Sequence, residues 1–461
     1  MYRTPPTSTI EQLWAARLDS HGGVAHAHEL VHTLSRTLRL ADVPTLLPAV
    51  AARRLRSRAF DTAQLAALAD TALAAIERVL SEAGSRGVMS LDARLRAWRR
   101  ANAAWMVPWT DTRAVDVDVV AAGPHAITAL ALLSGHHDGY LREEAVSRLG
   151  AASNTGLPWL LVRCFDWVDS VRYRAVRAVH DRLRPESFDD IVSVLPLVRR
   201  LRGVSRVDQT KLLEWIEAFL IQHPDALLST ALGHADAHVG RDAVELLTRR
   251  GALPLAQIPR LLDARDPWIR LRGAQQVRAE PRAEMAALRE RLCVDRSGRV
   301  RAVGLQRSVE ANDPTLRARL ETALDDRYRW ARELARYHLR ERFGARDYAA
   351  YYRDRIGTAP TPSLVAALSE VGGPEEWEAL VPMLDERPGI ARAAIRAMKI
   401  LDARGSRETR LMMVDDPRPS VSREAARSMR GWVWASDEAA IAGLLASPHE
   451  HVRRHARELT T

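Results

Sequence analysis

A five-residue signature returns along this chain at nearly constant spacing, and it restricts the fold more than any other feature. An aliphatic residue, often followed by Arg, is separated by two variable positions from a small residue. It reads Leu141-Arg142…Ala145, Val171-Arg172…Ala175, Val239-Gly240…Ala243, Ile269-Arg270…Gly273, Val300-Arg301…Gly304 and Ala331-Arg332…Ala335. It continues as Ile390-Ala391…Ala394, Val421-Ser422…Ala425 and Val452-Arg453…Ala456. The steps between the nine copies are 30, 68, 30, 31, 31, 59, 31 and 31 residues. The two long steps are close to double the others, so each spans one diverged unit, near Val207 and near Leu364, and the units number eleven. A fixed period of this size marks a repeat array, in which each unit buries its apolar face only against its neighbours.

Each signature reads as the start of a second helix. Its aliphatic and small residues are four apart and share one face, and the small residue admits a neighbouring helix at close range. A first helix lies upstream, as at Pro281 to Leu292, Pro374 to Leu384 and Asp437 to Leu445, with apolar residues such as Met285, Leu288 and Leu292 at helical spacing. The turns between carry Asp266-Pro267, Asp416-Pro417 and Ser447-Pro448. There Asp or Ser caps free amides and Pro suits the first helical turn. Alternating β-branched runs are nearly absent, and the 47% apolar content comes mainly from Ala, Leu and Val, with aromatics at 5%. That composition favours helices over sheets.

Over residues 123 to 461 the pattern resembles HEAT repeats, and its short period is most similar to the bacterial HEAT-like repeats of the phycobilisome-lyase type. HEAT units more often run to about 40–47 residues, so short helices and tight turns are expected. The tetratricopeptide and ankyrin patterns, although close in length, are absent. The resemblance implies an all-α solenoid, a superhelix of about eleven helical pairs. It also implies a structural ladder, in which the Arg after the aliphatic residue pairs with a turn carboxylate of its own or a neighbouring unit. Arg142, Arg172, Arg270, Arg301, Arg332 and Arg453 are the rungs, and Asp138, Asp166, Asp236, Asp266, Asp295 and Asp326 the candidate partners.

Residues 1 to 122 lack the signature but read as helical. Stripes fall at Ile10, Leu13, Trp14 and Leu18, at Leu30, Leu34 and Leu38, and at Leu65, Leu68, Ala72, Ile76, Val79 and Leu80. Gly84 to Gly87 reads as a loop, and Asp111 to Val120, with Val115, Val117 and Val119 alternating, as a brief extended stretch. This region is expected to be a cap built of diverged helical pairs, or a separate helical domain.

The net charge is +10 and the pI about 10.2, which points to an anionic partner. All but two of the 68 basic residues are Arg, the exceptions being Lys211 and Lys399, and this bias also fits a GC-rich genome. Cys164 and Cys293 sit far apart in apolar stretches and read as small buried hydrophobes rather than disulfide or zinc ligands. No secretion signal or membrane-spanning run is visible, so a cytoplasmic location is expected, without membrane insertion.

In the second helices, the positions two and six after the aliphatic residue point away from the core. In HEAT solenoids they line the concave side. They hold Arg177, Arg241, Arg392, Arg396, Arg423, Arg427 and Arg454, with acidic interruptions at Glu143, Glu245, Glu333 and Glu458. Arg recognises carboxylates and phosphates through its planar fork. The stripe therefore reads as a docking surface for an acidic protein segment, as a groove for a nucleic-acid backbone, or as a solvated face of an Arg-rich protein. The acidic breaks favour the protein scaffold over a continuous phosphate track.

Trp98, Trp105 and Trp109, near Arg94, Arg96, Arg99 and Arg100, read as core packing, as do Trp268, Trp330 and Trp377. The pairs His28/His32 and His451/His455 read as solvated histidines, with no metal and no cofactor expected. No phosphate-binding glycine loop, nucleophile elbow or dinucleotide fingerprint is present. The functional residues of HEAT-like glycosylases and lyases cannot be placed on this chain by motif, so a non-enzymatic role is expected.

Overall fold

A computed structural model describes residues 23–55, 61–98, 107–152, 156–280, 282–401, 405–431 and 437–460. The Ile10–Leu18 stripe, Arg99, Arg100 and Trp105 lie outside them. All regular elements among the described residues are helices, and they form two compact units that divide between Gln257 and Ile258.

The first unit begins with α1 (Gly23–Thr37) and a run of short helical turns to Arg54, followed by α2 (Thr62–Trp98). Helical pairs follow: α3 (Ala126–Leu133) with α4 (Gly139–Ala151), and α5 (Leu157–Arg163) with α6 (Asp169–His180). Next come α7 (Phe188–Ser193), α8 (Leu195–Leu201) and α9 (Thr210–Ile221), and then the pair α10 (Pro224–Gly233) and α11 (Ala237–Arg249). The 37-residue α2 packs against α3, α5 and α8. Leu65, Leu68, Ala72, Ile76 and Val79 are buried along it, with Ala69 and Leu73.

The second unit contains α12 (Ile258–Asp263) with α13 (Pro267–Gln276), α14 (Ala283–Cys293) with α15 (Gly298–Glu310), and α16 (Leu316–Ala323) with α17 (Arg329–Phe343). They are followed by α18 (Tyr348–Thr358) with α19 (Pro362–Val371), and by a 3₁₀ helix over Pro374–Leu384 with α20 (Pro388–Leu401). The last pairs are α21 (Arg407–Met412) with α22 (Pro419–Met429), and α23 (Glu438–Leu445) with α24 (Glu450–Thr460). Second helices pack side by side from α13 to α15 to α17, and again from α20 to α22 to α24. With its four first-unit pairs, one of them expanded to three helices, the chain carries eleven HEAT-like units among the described residues.

The signature explains the stacking. Its nine aliphatic residues are all at most 4% exposed, and its seven alanines are fully buried. At the two glycines the approach is closer still. A Cβ on Gly273 would stand 2.8 Å from Leu261 Cβ, and one on Gly304 would stand 2.7 Å from Leu292 Cβ. The first helix of each pair therefore leans directly on the backbone of the second.

Several local expectations are corrected. Asp111 to Val120 is not extended: a 3₁₀ turn over Ala114–Asp116 runs into a helical turn over Val117–Val120, whose Val117 and Val120 are buried three apart while Val115 is exposed. Gly84 to Gly87 is not a loop but a kink within α2, where Gly84 takes φ 60°, a left-handed backbone that favours glycine. Leu364 does lie in a second helix, α19, whereas Val207 sits in the turn before α9. In that unit α8 packs on α11, and α9 reaches the same helix through Glu217, which accepts from Arg249 at 2.6 Å. The segment Pro374–Leu384 winds as a 3₁₀ helix with Pro382 inside it, and the missing Pro382 amide hydrogen removes one helical bond there.

Candidate functional site: a cationic helical face

The six ladder arginines share one contact that the sequence does not display. Each guanidinium donates through Nη1 to the backbone carbonyl six residues earlier. Arg142 reaches His136 at 3.0 Å, Arg172 reaches Asp166 at 2.8 Å, and Arg270 reaches Ala264 at 2.9 Å. Arg301 reaches Asp295 at 2.6 Å, Arg332 reaches Asp326 at 2.5 Å, and Arg453 reaches Ser447 at 2.7 Å. These carbonyls close the turn after each first helix, where backbone acceptors lack helical partners.

The carboxylate partners differ from rung to rung. Arg142 makes a two-point contact with Asp166 (3.1 and 3.0 Å), Arg301 one with Asp326 (2.7 and 2.6 Å), and Arg270 meets Asp295 at 3.0 Å. Those three bonds tie one unit to the next. The other three rungs depart from the expected aspartates: Arg172 pairs with Asp169 at 2.5 Å, Arg332 with Glu370, and Arg453 with Glu450. The turn aspartates also fix the turn backbone, and Asp138, Asp236 and Asp266 cap the helices that follow them. Asp138, Asp166, Asp236, Asp266, Asp295 and Asp326 each accept from the amide two residues on.

At α5 this ladder joins a buried charge cluster. Arg163, 2% exposed, bonds Asp166 at 3.2 Å and also pairs with Asp92 of α2, which is 1% exposed. Burial pulls the Arg163 guanidinium down to about 10. His136 lies alongside. Its Nδ1 accepts from the Asp138 amide at 3.1 Å, while its Nε2 proton is donated to the Trp109 carbonyl at 3.0 Å. Burial, followed by the charge of His137, drops the His136 imidazole from its ordinary 6.5 to about 3.

The arginines expected to line the concave side are not all brought together. Arg177 on α6 is exposed and Arg241 on α11 is half-buried, both in the first unit. The remaining five gather on three adjacent helices of the second unit: Arg392 and Arg396 on α20, Arg423 and Arg427 on α22, and Arg454 on α24. Lys399 and Arg430 extend the same face, and all of these except half-buried Arg392 are exposed. A residue nine positions after the aliphatic one lies only ~20° around the helix from position two, so the helical period itself identifies them.

The carboxylates that interrupt this face are few. Glu424, only 8% exposed, lies 3.6 Å from Arg396 and 3.9 Å from Arg427 and is shared between them. Glu458 accepts from Arg430 at 2.7 Å, and that bond holds its carboxyl below the ordinary range. Arg392 donates to the Pro388 carbonyl at 3.2 Å. Among the described residues six arginines and one lysine thus face two carboxylates, a surface suited to a polyanionic segment.

Other candidates resolve differently. Trp330 is 63% exposed and does not pack between repeats, whereas Trp268 and Trp377 are half-buried. Trp109 is buried in a separate helical turn, Val107–Thr110. His455 is not solvated: it is 3% exposed, and its Nδ1 lies 3.2 Å from Ser422 Oγ. His28 Nε2 meets the Gln64 carbonyl at 3.2 Å. Cys164 is buried, which pushes its thiol pKa up, and Cys293 is half-buried and shifted the same way. Among the described residues no three His, Cys, Asp or Glu side chains are placed to hold a metal ion, and no helix is long and apolar enough to cross a membrane.

No protein-family model matches the chain, and no curated protein matches it. Among solved structures it is similar to the crystal structure of Kap121p, at 12% identity over 98% of this chain and 56% of that one, with a TM-score of 0.34. The structure of Kap121p bound to Nup53p gives 12% identity, the same coverage and a TM-score of 0.35. A structure of microtubule polymerases with TOG domain arrays gives 12% identity over 98% of this chain and 92% of that one, with a TM-score of 0.21. The chain spans little more than half the length of the Kap121p chains, 56%.

Proposed function

We propose that this chain is a non-enzymatic interaction scaffold that docks an acidic segment of a partner protein on the outer face of α20, α22 and α24. One observation carries the reading: Arg396, Lys399, Arg423, Arg427, Arg430 and Arg454 are exposed on or at the end of three adjacent second helices, with Glu424 and Glu458 as their carboxylate partners among the described residues. None of these cations is needed for the core, which the opposite faces supply through Ile390, Ala394, Val421, Ala425, Val452 and Ala456. Arg177 and Arg241 extend the proposal to the first unit as secondary contacts. The phycobilisome-lyase likeness describes the repeat length in this reading and not a chemistry.

The test is binding of a fluorescent Glu-rich dodecapeptide, with a labelled DNA duplex alongside, over a range of salt. Joint replacement Arg396→Glu, Arg423→Glu and Arg427→Glu is expected to lower peptide affinity about a hundredfold while circular dichroism stays helical. Unchanged peptide binding by that variant refutes the site. Tighter binding of the duplex, falling steeply with salt, replaces the protein partner with a nucleic-acid backbone.

A further inference from the structure

Trp330 and Tyr337 are large, 63% and 51% exposed, and neighbours on one face of α17. Exposed aromatics on one face of a well-packed helix need a reason, because adjoining apolar side chains left in water commonly mark a contact surface. They form one wall of an open furrow of about 570 Å³ between α15 and α17. Ala302 and Val303 of α15 form the other wall, with Leu334 and Tyr328 contributing from the α17 side. Its base is built by close packing: a Cβ on Gly298 would overlap that of Tyr328, so this ring lies against the first turn of α15.

Tyr328 also lines a second depression of about 620 Å³, at the turns that precede α15 and α17. Its carboxylates are already engaged within the protein. Asp295 is held by Arg270 at 3.0 Å, Asp326 by Arg301 at 2.6 Å, and Asp325 by Arg355 at 2.5 Å. The exposed cations Arg296 and Arg327 beside them, and Arg299 at the furrow rim, have no ion pair or hydrogen bond among the described residues. Only Glu333, 3.8 Å from Arg329, brings a negative charge to the furrow itself. An apolar slot thus opens directly onto a turn edge with uncompensated positive charge.

We propose that this furrow and its adjoining edge dock an acidic segment of a partner protein that carries one large apolar side chain. The apolar side chain lies between Trp330, Tyr337 and Val303, and the flanking carboxylates meet Arg296, Arg299 and Arg327. Aromatic and Arg side chains supply most of the binding energy in contacts of this kind. The inference rests on the scaffold reading for the class of partner, but it uses a separate set of residues.

Three labelled dodecapeptides test it by fluorescence anisotropy: Glu-rich with a central Phe, the same with Ala for Phe, and Lys-rich with a central Phe. The full chain carries Arg396→Glu, Arg423→Glu and Arg427→Glu throughout, so the α20–α24 face does not contribute. Failure of that face and failure of the furrow are then read independently. The Glu-rich Phe peptide is expected to bind about tenfold or more tightly than either control. Trp330→Ala with Tyr337→Ala, or Arg296→Glu with Arg327→Glu, removes that preference while helical circular dichroism is retained, since all four side chains are exposed. The proposal is overturned if the Phe and Ala peptides bind alike, if neither binds, or if the aromatic pair can be removed without loss. Preference for the Lys-rich peptide overturns it as well, by placing a cation against Trp330 and Glu333.

Discussion

Replacing Asp166 with Asn removes one charge from the most buried stretch of the arginine ladder. Asp166 is 5% exposed and accepts from Arg142 at 3.1 and 3.0 Å and from Arg163 at 3.2 Å, and both guanidiniums are at most 3% exposed. Two buried cations, Arg142 and Arg163, are balanced by Asp92 and Asp166, while neighbouring His136 stays neutral near physiological pH. Asp166→Asn keeps the shape and an oxygen for the Val168 amide but leaves one guanidinium charge uncompensated. Breaking a buried pair on one side costs about 3–5 kcal/mol. The rung at the other end of the chain is a control, because Glu450 is 72% exposed beside Arg453. Glu450→Gln is expected to cost at most ~0.5 kcal/mol. A stack of repeats need not unfold in one step, so local amide exchange is a better readout than a single melting curve. At ~4 kcal/mol, the amides of α4 and α6 exchange about a thousandfold faster in Asp166→Asn, with α24 unchanged in Glu450→Gln. A change below about tenfold at α4 and α6 refutes the idea that burial grades the rungs.

Two further outcomes follow from the packing. His136, 2% exposed, has its folded value lowered from 6.5 to about 3, so the unfolded chain binds the extra proton, and stability is lost as pH falls below about 6.5. The loss reaches about 2 kcal/mol by about pH 5, and His136→Gln is expected to flatten this part of the pH profile of exchange at α3 and α4. Gly304→Ala places a methyl 2.7 Å from Leu292 Cβ and 2.8 Å from the Cys293 amide nitrogen, so α14 must shift; a cost of about 1–3 kcal/mol is expected from urea denaturation, and no cost would show that the contact yields freely.

The repeat was legible because burial repeats with it. Each signature gives an aliphatic and a small residue the same environment in every unit, so the pattern survives although no two copies are alike. Where the environment changes, the reading failed. Val207 fell in the turn between α8 and α9, where this unit expands from two helices to three. The alternation at Val115, Val117 and Val119 suggested a strand, but burial follows Val117 and Val120, a helical interval. Pro382 gave no warning that a whole first helix would tighten to 3₁₀ geometry. The ladder was legible as a set of arginines and only partly as a set of pairs. A carboxylate partner is a long-range contact, as Glu370 is for Arg332, whereas the carbonyl six residues back is set by local geometry and recurs in every rung.

The outer face was under-read for a simpler reason, and the reason separates stability from recognition in this chain. At 100° per residue, the positions one before and two, six and nine after the aliphatic residue all fall within ~80° of one another, opposite the core. Position nine contributes Lys399 and Arg430, and the position before the aliphatic residue contributes Trp330 and Arg299. The core is satisfied by the aliphatic residue and the small residue four positions on, so packing places little demand on the opposite side. Substitution there can change charge and aromatic content while the stack persists, which is why α15 and α17 can present a furrow and α20, α22 and α24 a cationic face on one repeated scaffold. Trp330 stood one position outside the motif, where a reading confined to the signature assigned it to the core. The helical period carried it, instead, to the surface where the apolar anchor is proposed to dock.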